Sequence, residues 1–311
     1  MNNDGFYILY NPTSGSGLSV KFLKKLKKHL DEIHISYIDP LECSSTSVVI
    51  TPRVFKSEYT GYIKQFCQDV AKHQKMIIIG GDGTFHEAIN GLMLNINLES
   101  LTVGFLPGGT GNSFMCDLNA ETYSKALLKI LNGKTKKIDI LELDLNNKKE
   151  YAFNIVGWGL VSDINILSEK LRFLGSSRYT LASIYYIFRK KTRYAQLTID
   201  GHARKDNYIF IMCLNTIHTG KGMKAAPRAL LDDGLLDIIL VDAKISIWNL
   251  IFLLPKIFTG KHIYSKYVEY IQAKKIKIKP KKNEMLNVDG ENKLFTPVSI
   301  SVIDQKIKIY Y

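Results

Sequence analysis

Three glycine-rich turns constrain this chain more than any other feature. Asn11–Gly17 reads NPTSGSG, Gly80–Thr84 reads GGDGT and Pro107–Asn112 reads PGGTGN. Each follows a short apolar run (Phe6–Tyr10, Met76–Ile79 and Leu101–Leu106) and precedes a helical stretch. Apolar strands that feed helices through glycine predict a parallel sheet covered on both faces. In such a sheet a ligand binds beyond the carboxyl ends of the strands, so the three turns are expected to converge. Glycine allows close backbone approach and positive φ. The helix N-termini that follow offer unpaired N–H groups to phosphate. One such turn alone is equally a tight connection; three in one sheet point to a site.

The helices between the strands fit this reading. Leu18, Phe22, Leu23, Leu26, Leu30 and Ile33 fall at spacings of three and four, a single apolar stripe. Lys21, Lys24, Lys25, Lys27 and Lys28 occupy the other side, which reads as a solvated face. A further strand is expected at Ser47–Thr51, with helices over about Thr60–Lys72 and His86–Leu94. After Asn132 the rhythm changes and strand-like runs dominate: Lys137–Asp144, Tyr151–Val156, Ala195–Asp200, Tyr208–Asn215, Leu235–Val241, Ile276–Lys279 and Val298–Tyr311. Helical stretches interrupt them at about Asp163–Leu174, Tyr179–Lys191 and Ser246–Phe258. At roughly 150 residues per domain, 311 residues suggest two domains. The expected fold class is α/β: a Rossmann-like three-layer domain over residues 1–133, then a β-rich antiparallel sandwich over residues 134–311, with the C-terminal segment free to return to the first domain.

Composition narrows the function classes. Hydrophobic residues are 46% and charged residues 23%, which excludes a disordered chain. Forty-two Lys and Arg against 29 Asp and Glu give +13, a bias toward anionic partners: nucleotide, nucleic acid or an anionic membrane surface. The longest apolar candidate for a membrane span, Ile245–Pro255, is shorter than the roughly 18 residues required. No basic, apolar leader opens the chain, so a cytoplasmic protein is expected. Cys43, Cys67, Cys116 and Cys213 are scattered and form no CxxC pair. There is no GxxxxGK[ST] phosphate loop and no GxGxxG dinucleotide fingerprint. No nucleic-acid module appears, so nucleic acid is not an expected partner.

Two carboxylates stand out by position. Asp82 lies inside GGDGT, where a negative charge beside phosphate is unfavourable unless it holds a metal or takes a proton. A helix cap is the plainer role for it, but Thr84 is the better-placed cap. Asp289-Gly290-Glu291 ends in the second carboxylate, and Asp-Gly also favours a hairpin turn. Glu87, one helical turn beyond Gly83, is either a positioning group or an exposed helix carboxylate.

These motifs, taken together, resemble the diacylglycerol kinase catalytic domain shared with sphingosine and ceramide kinases. The resemblance is carried by NPTSG at Asn11–Gly15, GGDGTFHEAINGL at Gly80–Leu92 and PGGTGNSF at Pro107–Phe114. It continues through GWGLVSDINILSEKLRFLGSSRYTL at Gly157–Leu181, similar to the sphingosine and ceramide kinase branch. NTIHTGKGMKAAPRALLDDGLLDIILV at Asn215–Val241, TGKHIYSKYVEYIQ at Thr259–Gln272 and VDGE at Val288–Glu291 extend it over nearly the whole chain. NAD kinases share GGDGT but not the NPxSG start or the PxGTxN turn in this arrangement.

The resemblance implies a nucleotide-binding domain, a lipid-binding domain and an active site between them. It implies ATP and Mg²⁺ as cofactors and a lipid hydroxyl at a membrane surface as acceptor. Asn11, Pro12, Thr13, Ser14, Gly15 and Thr51, with Gly80, Gly81, Gly83, Thr84, Gly108, Gly109, Thr110 and Asn112, are the implied nucleotide contacts. Asp82 is the implied base in the sphingosine kinase branch, and Glu291 in the bacterial diacylglycerol kinase branch. Asp163 is the implied lipid head-group contact, with a helix N-cap as the competing role. LDDG at Leu231–Gly234 is shared with the bacterial branch, which implies a structural Mg²⁺ held by Asp233 and the carbonyls of Leu230 and Leu235. A sphingoid long-chain base is the favoured acceptor and diacylglycerol the second. A lipid-binding module without chemistry is the rival of another class, and intact GGDGT and DGE argue against it. A homo-oligomer is compatible with the sequence.

Overall fold

The computed structural model describes residues 6–32, 54–72, 74–146, 148–220 and 222–311. The chain divides into two compact units, Met1–Ile138 with Gln305–Tyr311, and Asp139–Asp304.

The first unit alternates strand and helix: β1 (Phe6–Tyr10), α1 (Leu18–Glu32), β2 (Val54–Lys56), α2 (Tyr62–Asp69), β3 (Lys75–Gly80), α3 (Asp82–Leu92), β4 (Thr102–Pro107), α4 (Ser113–Asp117) and α5 (Tyr123–Asn132). The strands form one parallel sheet in the order β2-β1-β3-β4. Ile309, near the chain end, adds a parallel rung beside Val103 of β4. Ile8, Leu9, Ile77, Ile78, Ile79 and Leu106 are buried, as expected for strands covered on both sides. Leu23, Leu26 and Leu30 bury the α1 stripe, while Lys21, Lys24, Lys25 and Lys28 stay exposed. The strand expected at Ser47–Thr51 lies outside the described residues, and so do Cys43 and Ile33. The second helix is shorter than its pattern suggested: it starts after Gly61 at φ 91° and stops at Val70, where the backbone becomes extended.

The second unit contains the rest of β5 (Thr135–Asp144), then β6 (Lys149–Ala152), β7 (Ile155–Gly159), α6 (Leu160–Lys170), α7 (Arg178–Arg189), β8 (Arg193–Ile199) and β9 (His202–Leu214). After these come β10 (His218–Thr219), β11 (Met223–Lys224), β12 (Leu236–Asp242), α8 (Ile247–Phe258), β13 (Val268–Ala273), β14 (Lys275–Pro280), β15 (Met285–Val288), β16 (Glu291–Phe295) and β17 (Val298–Tyr310). Its strand pairs are antiparallel. The long β9 organises it. Its first half pairs with β8, and its second half lies between β7 and β12.

Two expected elements move, for local reasons. The run Tyr151–Val156 is not one strand: it breaks between β6 and β7, where the N–H groups of Phe153, Asn154 and Ile155 turn to the Asp289 carboxylate. Helix α6 starts at Leu160 rather than Asp163, because Gly159 takes φ 85° and begins it three residues earlier.

Candidate active site

In the first unit the register alone aligns the three turns. Tyr10 pairs with Ile79, and Ile79 with Leu106. NPTSG, GGDGT and PGGTGN therefore leave the sheet from one edge at one level. Hydrogen bonds join them: the Asn11 N–H donates to the Ile79 carbonyl at 3.2 Å and the Gly108 N–H to the Gly80 carbonyl at 2.6 Å. Ser14 and Thr84 hydroxyls lie 3.1 Å apart, and the Asn11 amide reaches Thr84 Oγ1 at 3.5 Å. Glycine is required at this junction. A Cβ on Gly109 would lie 2.4 Å from the Gly81 Cα, and one on Gly15, at φ 58°, would lie 2.4 Å from the Gly108 carbonyl oxygen. The expected nucleotide contacts of all three turns are thus one packed cluster, with Thr13, Gly83 and Thr110 on its exposed side. Pro12 is half-buried in the same turn. Asn112 is the left-handed N-cap residue of α4, and its side chain closes the third turn by bonding both the N–H and the carbonyl of Gly109. Thr51 lies outside the described residues.

Neither candidate caps α3. Gly81 is the N-cap, Asp82 is the first helical residue, and no side chain caps this helix. Thr84 is instead buried and faces Ser14 and Asn11. Asp82 Oδ2 accepts from the Ser113 N–H at 3.1 Å and from the Ser113 hydroxyl at 3.2 Å, so the third turn aims the carboxylate. A carboxylate in the first turn of a helix is also favoured by the helix dipole. Glu87 is not an exposed carboxylate: it is half-buried and accepts from the Gly61 N–H at 3.3 Å, tying α3 to the start of α2. A cavity of about 400 Å³ lined by Tyr7, Phe55, Tyr62 and Phe66 also lies in this unit, but no residue of the glycine turns lines it.

In the second unit the DGE segment does two things. Asp289, at φ 50°, and Gly290, at φ 93°, form the two-residue turn between β15 and β16. Asp289 is buried and accepts from three backbone N–H groups, at 3.0 to 3.2 Å. Glu291, the first residue of β16, is half-exposed and lies 3.0 Å from Lys293. Lys293 also meets Glu150 at 3.3 Å. Burial lowers the pKa of Lys293, but the two carboxylates outweigh it and the net shift is upward.

Asp163 lies in the first turn of α6 and does not cap it, so the N-cap role is excluded. Its carboxylate accepts from Arg193, which is nearly buried and whose Nε lies 2.9 Å from Glu284. Nothing local in the sequence announces this cluster, because its members are separated by strands and turns. In the LDDG turn, Asp233 accepts from the Leu235 N–H at 3.0 Å and Asp139 accepts from the Gly234 N–H at 2.8 Å. Among the described residues no group of three or more His, Cys, Asp and Glu side chains could hold a metal ion. A cation here would rely on Asp233 with backbone carbonyls, such as those of Leu230 and Leu235, and water, a donor set that suits Mg²⁺.

Comparison with known proteins bears on both units. The diacylglycerol kinase catalytic domain matches residues 5–143, and the YegS C-terminal NAD kinase beta sandwich-like domain matches residues 154–311. Sphingoid long chain base kinase 4 of Schizosaccharomyces pombe is 24% identical over 96% of this chain and 72% of that protein. A diacylglycerol kinase of Bacillus subtilis is 26% identical over 91% of this chain and 88% of that one. The crystal structure of a diacylglycerol kinase from Bacillus anthracis has the same fold, with a TM-score of 0.75 over 99% of this chain and 97% of that one, at 23% identity. With its aligned glycine turns and both domains matched, the chain belongs to the diacylglycerol kinase catalytic-domain family and is an ATP-dependent lipid kinase.

Proposed function

We propose that this kinase transfers the γ-phosphate of ATP to the hydroxyl of a sphingoid long-chain base, and that Asp82 is the base. The observation that carries the chemistry is the position of Asp82. It opens α3 inside the cluster of glycine turns and is aimed by two donors from Ser113. Phosphoryl transfer needs in-line positioning and neutralised phosphate charge more than covalent chemistry from the protein. The turn N–H groups and the α3 N-terminus bind the phosphates. Asp82 takes the proton of the acceptor O–H as its oxygen bonds to the γ-phosphorus and the bond to the β-phosphate oxygen breaks, leaving ADP. Mg²⁺, bound with the nucleotide, supplies charge neutralisation on the phosphates. Glu291 is the second candidate base, but Lys293 already meets its charge.

The acceptor follows from the Asp163 cluster. Asp163 and Glu284 share one guanidinium, so the cluster keeps one formal negative charge, which complements an ammonium group. Diacylglycerol is the second reading. It is favoured by the direct Arg193 contact, which leaves Asp163 less charge to offer and suits an uncharged hydroxyl. Measuring kcat/KM on both lipids with labelled ATP tests both parts. Asp82→Asn should cost about 10² to 10⁴ in rate in a folded protein. Asp163→Asn should lower sphingoid-base turnover about tenfold, near the low end for a charged hydrogen bond, and leave diacylglycerol turnover unchanged. Near-normal Asp82→Asn activity defeats the base assignment. Preference of the wild type for diacylglycerol defeats the acceptor.

A further inference from the structure

Strand β8 alternates, and Ala195, Leu197 and Ile199 take its buried side. The same period of two turns Arg193, the first residue of the strand, to that side. A guanidinium there is costly unless it is paired. Asp163, in the first turn of α6, and Glu284, the residue before β15, supply the pairing. Glu284 is itself anchored: its N–H donates to the Thr296 hydroxyl at 2.9 Å, and its carbonyl accepts from the Thr296 N–H at 2.9 Å. Three segments distant in sequence therefore meet at one buried cation.

The two signs of charge differ in depth. The Arg193 side chain is 5% exposed, against 20% for Asp163 and 26% for Glu284. A molecule arriving from solvent meets the carboxylates, with the guanidinium behind them. Among the described residues, Arg193 Nη1 is buried without a hydrogen-bond partner, so Asp163 and Glu284 are the anions that balance this cation. Stability is a weak reason for such a triad, because well-packed apolar residues of similar volume often serve as well or better. What an apolar replacement does not reproduce is the charge presented outward. Two carboxylates on one guanidinium present one net negative charge. Without the Arg193 charge the cluster presents two, and without the Glu284 charge it presents none.

We propose that Arg193 is a specificity-determining residue of this kinase, setting the charge with which Asp163 meets the acceptor head group, and that Glu284 positions Arg193 and tunes the same charge. The inference rests on the reading of Asp163 as the head-group contact and adds the two residues that set selectivity there.

The test uses the full chain with labelled ATP, on a sphingoid base and on diacylglycerol, each in micelles of the same uncharged detergent, with kcat and KM read separately. An ammonium head group feels the net charge of the cluster and an uncharged hydroxyl does not. Arg193→Met should lower KM for the sphingoid base about three- to tenfold, and Glu284→Gln should raise it by a similar factor, the scale of one charge a few ångströms further off near a protein surface. KM for diacylglycerol should barely change, and kcat should move little beside KM, because both residues act through Asp163. Arg193→Lys, which keeps the charge, should hold the ratio of kcat/KM on the two lipids near the wild-type value. Movement of that ratio in opposite directions is the signature, since a mere staple between α6 and β8 would lose both activities in both variants. A ratio that moves the same way in both, or in neither, overturns the proposal. If Arg193→Met fails to fold, Glu284→Gln decides, and an unchanged ratio there overturns it. A wild type that prefers diacylglycerol defeats the acceptor named above, whereas this inference stands or falls on the direction of the shift.

Discussion

In Asp289→Asn the side chain keeps one acceptor oxygen and gains an amide donor where it must face backbone N–H groups of residues 153–155. Hydrogen bonds to a charged acceptor are worth about 1.5–3 kcal/mol each, and a buried N–H left unpaired carries its own penalty. The substitution should therefore lower the unfolding free energy by about 2–4 kcal/mol, read from urea denaturation. Glu291→Gln, two residues on, changes a half-exposed side chain and should leave stability within about 0.5 kcal/mol. The pair separates the two halves of DGE: loss of turnover with Glu291→Gln and intact stability would move the base from Asp82 to Glu291. Equal destabilisation by both would refute the structural role given to Asp289. The sequence marks DGE as a turn and as a source of a catalytic carboxylate; the turn is present, and its first carboxylate holds the backbone of residues 153–155. It does not reveal that Asp289 reaches back to residues 153–155, because that contact spans more than 130 residues.

At the scale of elements, strand β12 holds a carboxylate that the chemistry does not use. Asp237 is fully buried, and burial above all raises its pKa to about 6, with the nearby Asp233 adding to the rise. The Tyr270 hydroxyl on β13 donates to its Oδ1 at 2.5 Å and partly opposes the shift. Its folded value thus lies above its unfolded value near 3.9. Between about pH 4 and pH 6 the folded state binds the extra proton, so the contribution of this group is complete at low pH and falls as pH rises. The loss approaches about 3 kcal/mol by pH 7. Asp237→Asn removes the titration, so its stability relative to wild type should improve between pH 4 and pH 7, followed by urea midpoints. A gap that does not change with pH would refute the assignment. Element by element, the parallel strands β1, β3 and β4 were legible because apolar runs and glycine turns are local; β2 was not, because its three residues, Val54–Lys56, carry no such pattern. The start of α6 was not, since Gly159 rather than a polar cap sets it. Nor was the Arg193 cluster, whose members meet only through the tertiary fold.

For the molecule as a whole, the end of the chain matters most to the unit where the chain begins. Residues 305–311 belong to the first unit. Ile307 and Ile309 are fully buried, and the Tyr310 ring lies tilted against Phe6, 6.1 Å between centroids. The Tyr311 N–H donates to the Lys134 carbonyl at 2.9 Å, and Lys306 meets Glu99 at 3.0 Å. Burying each isoleucine contributes about 1.5–3 kcal/mol. The segment as a whole therefore contributes several kcal/mol, comparable with the 5–15 kcal/mol that a domain typically retains. A chain stopped after Asp304 keeps every glycine turn but removes the strand edge beside β4. It should lose ATP binding, and residues 6–138 should become the first cut in limited proteolysis, with the β-rich unit more resistant. Removing only Tyr311 should cost far less, because it is exposed and one backbone hydrogen bond is worth about 1 kcal/mol. If the chain ending at Asp304 binds ATP as the full chain does, the last seven residues are an appendage and the sheet of the first unit is complete at β4.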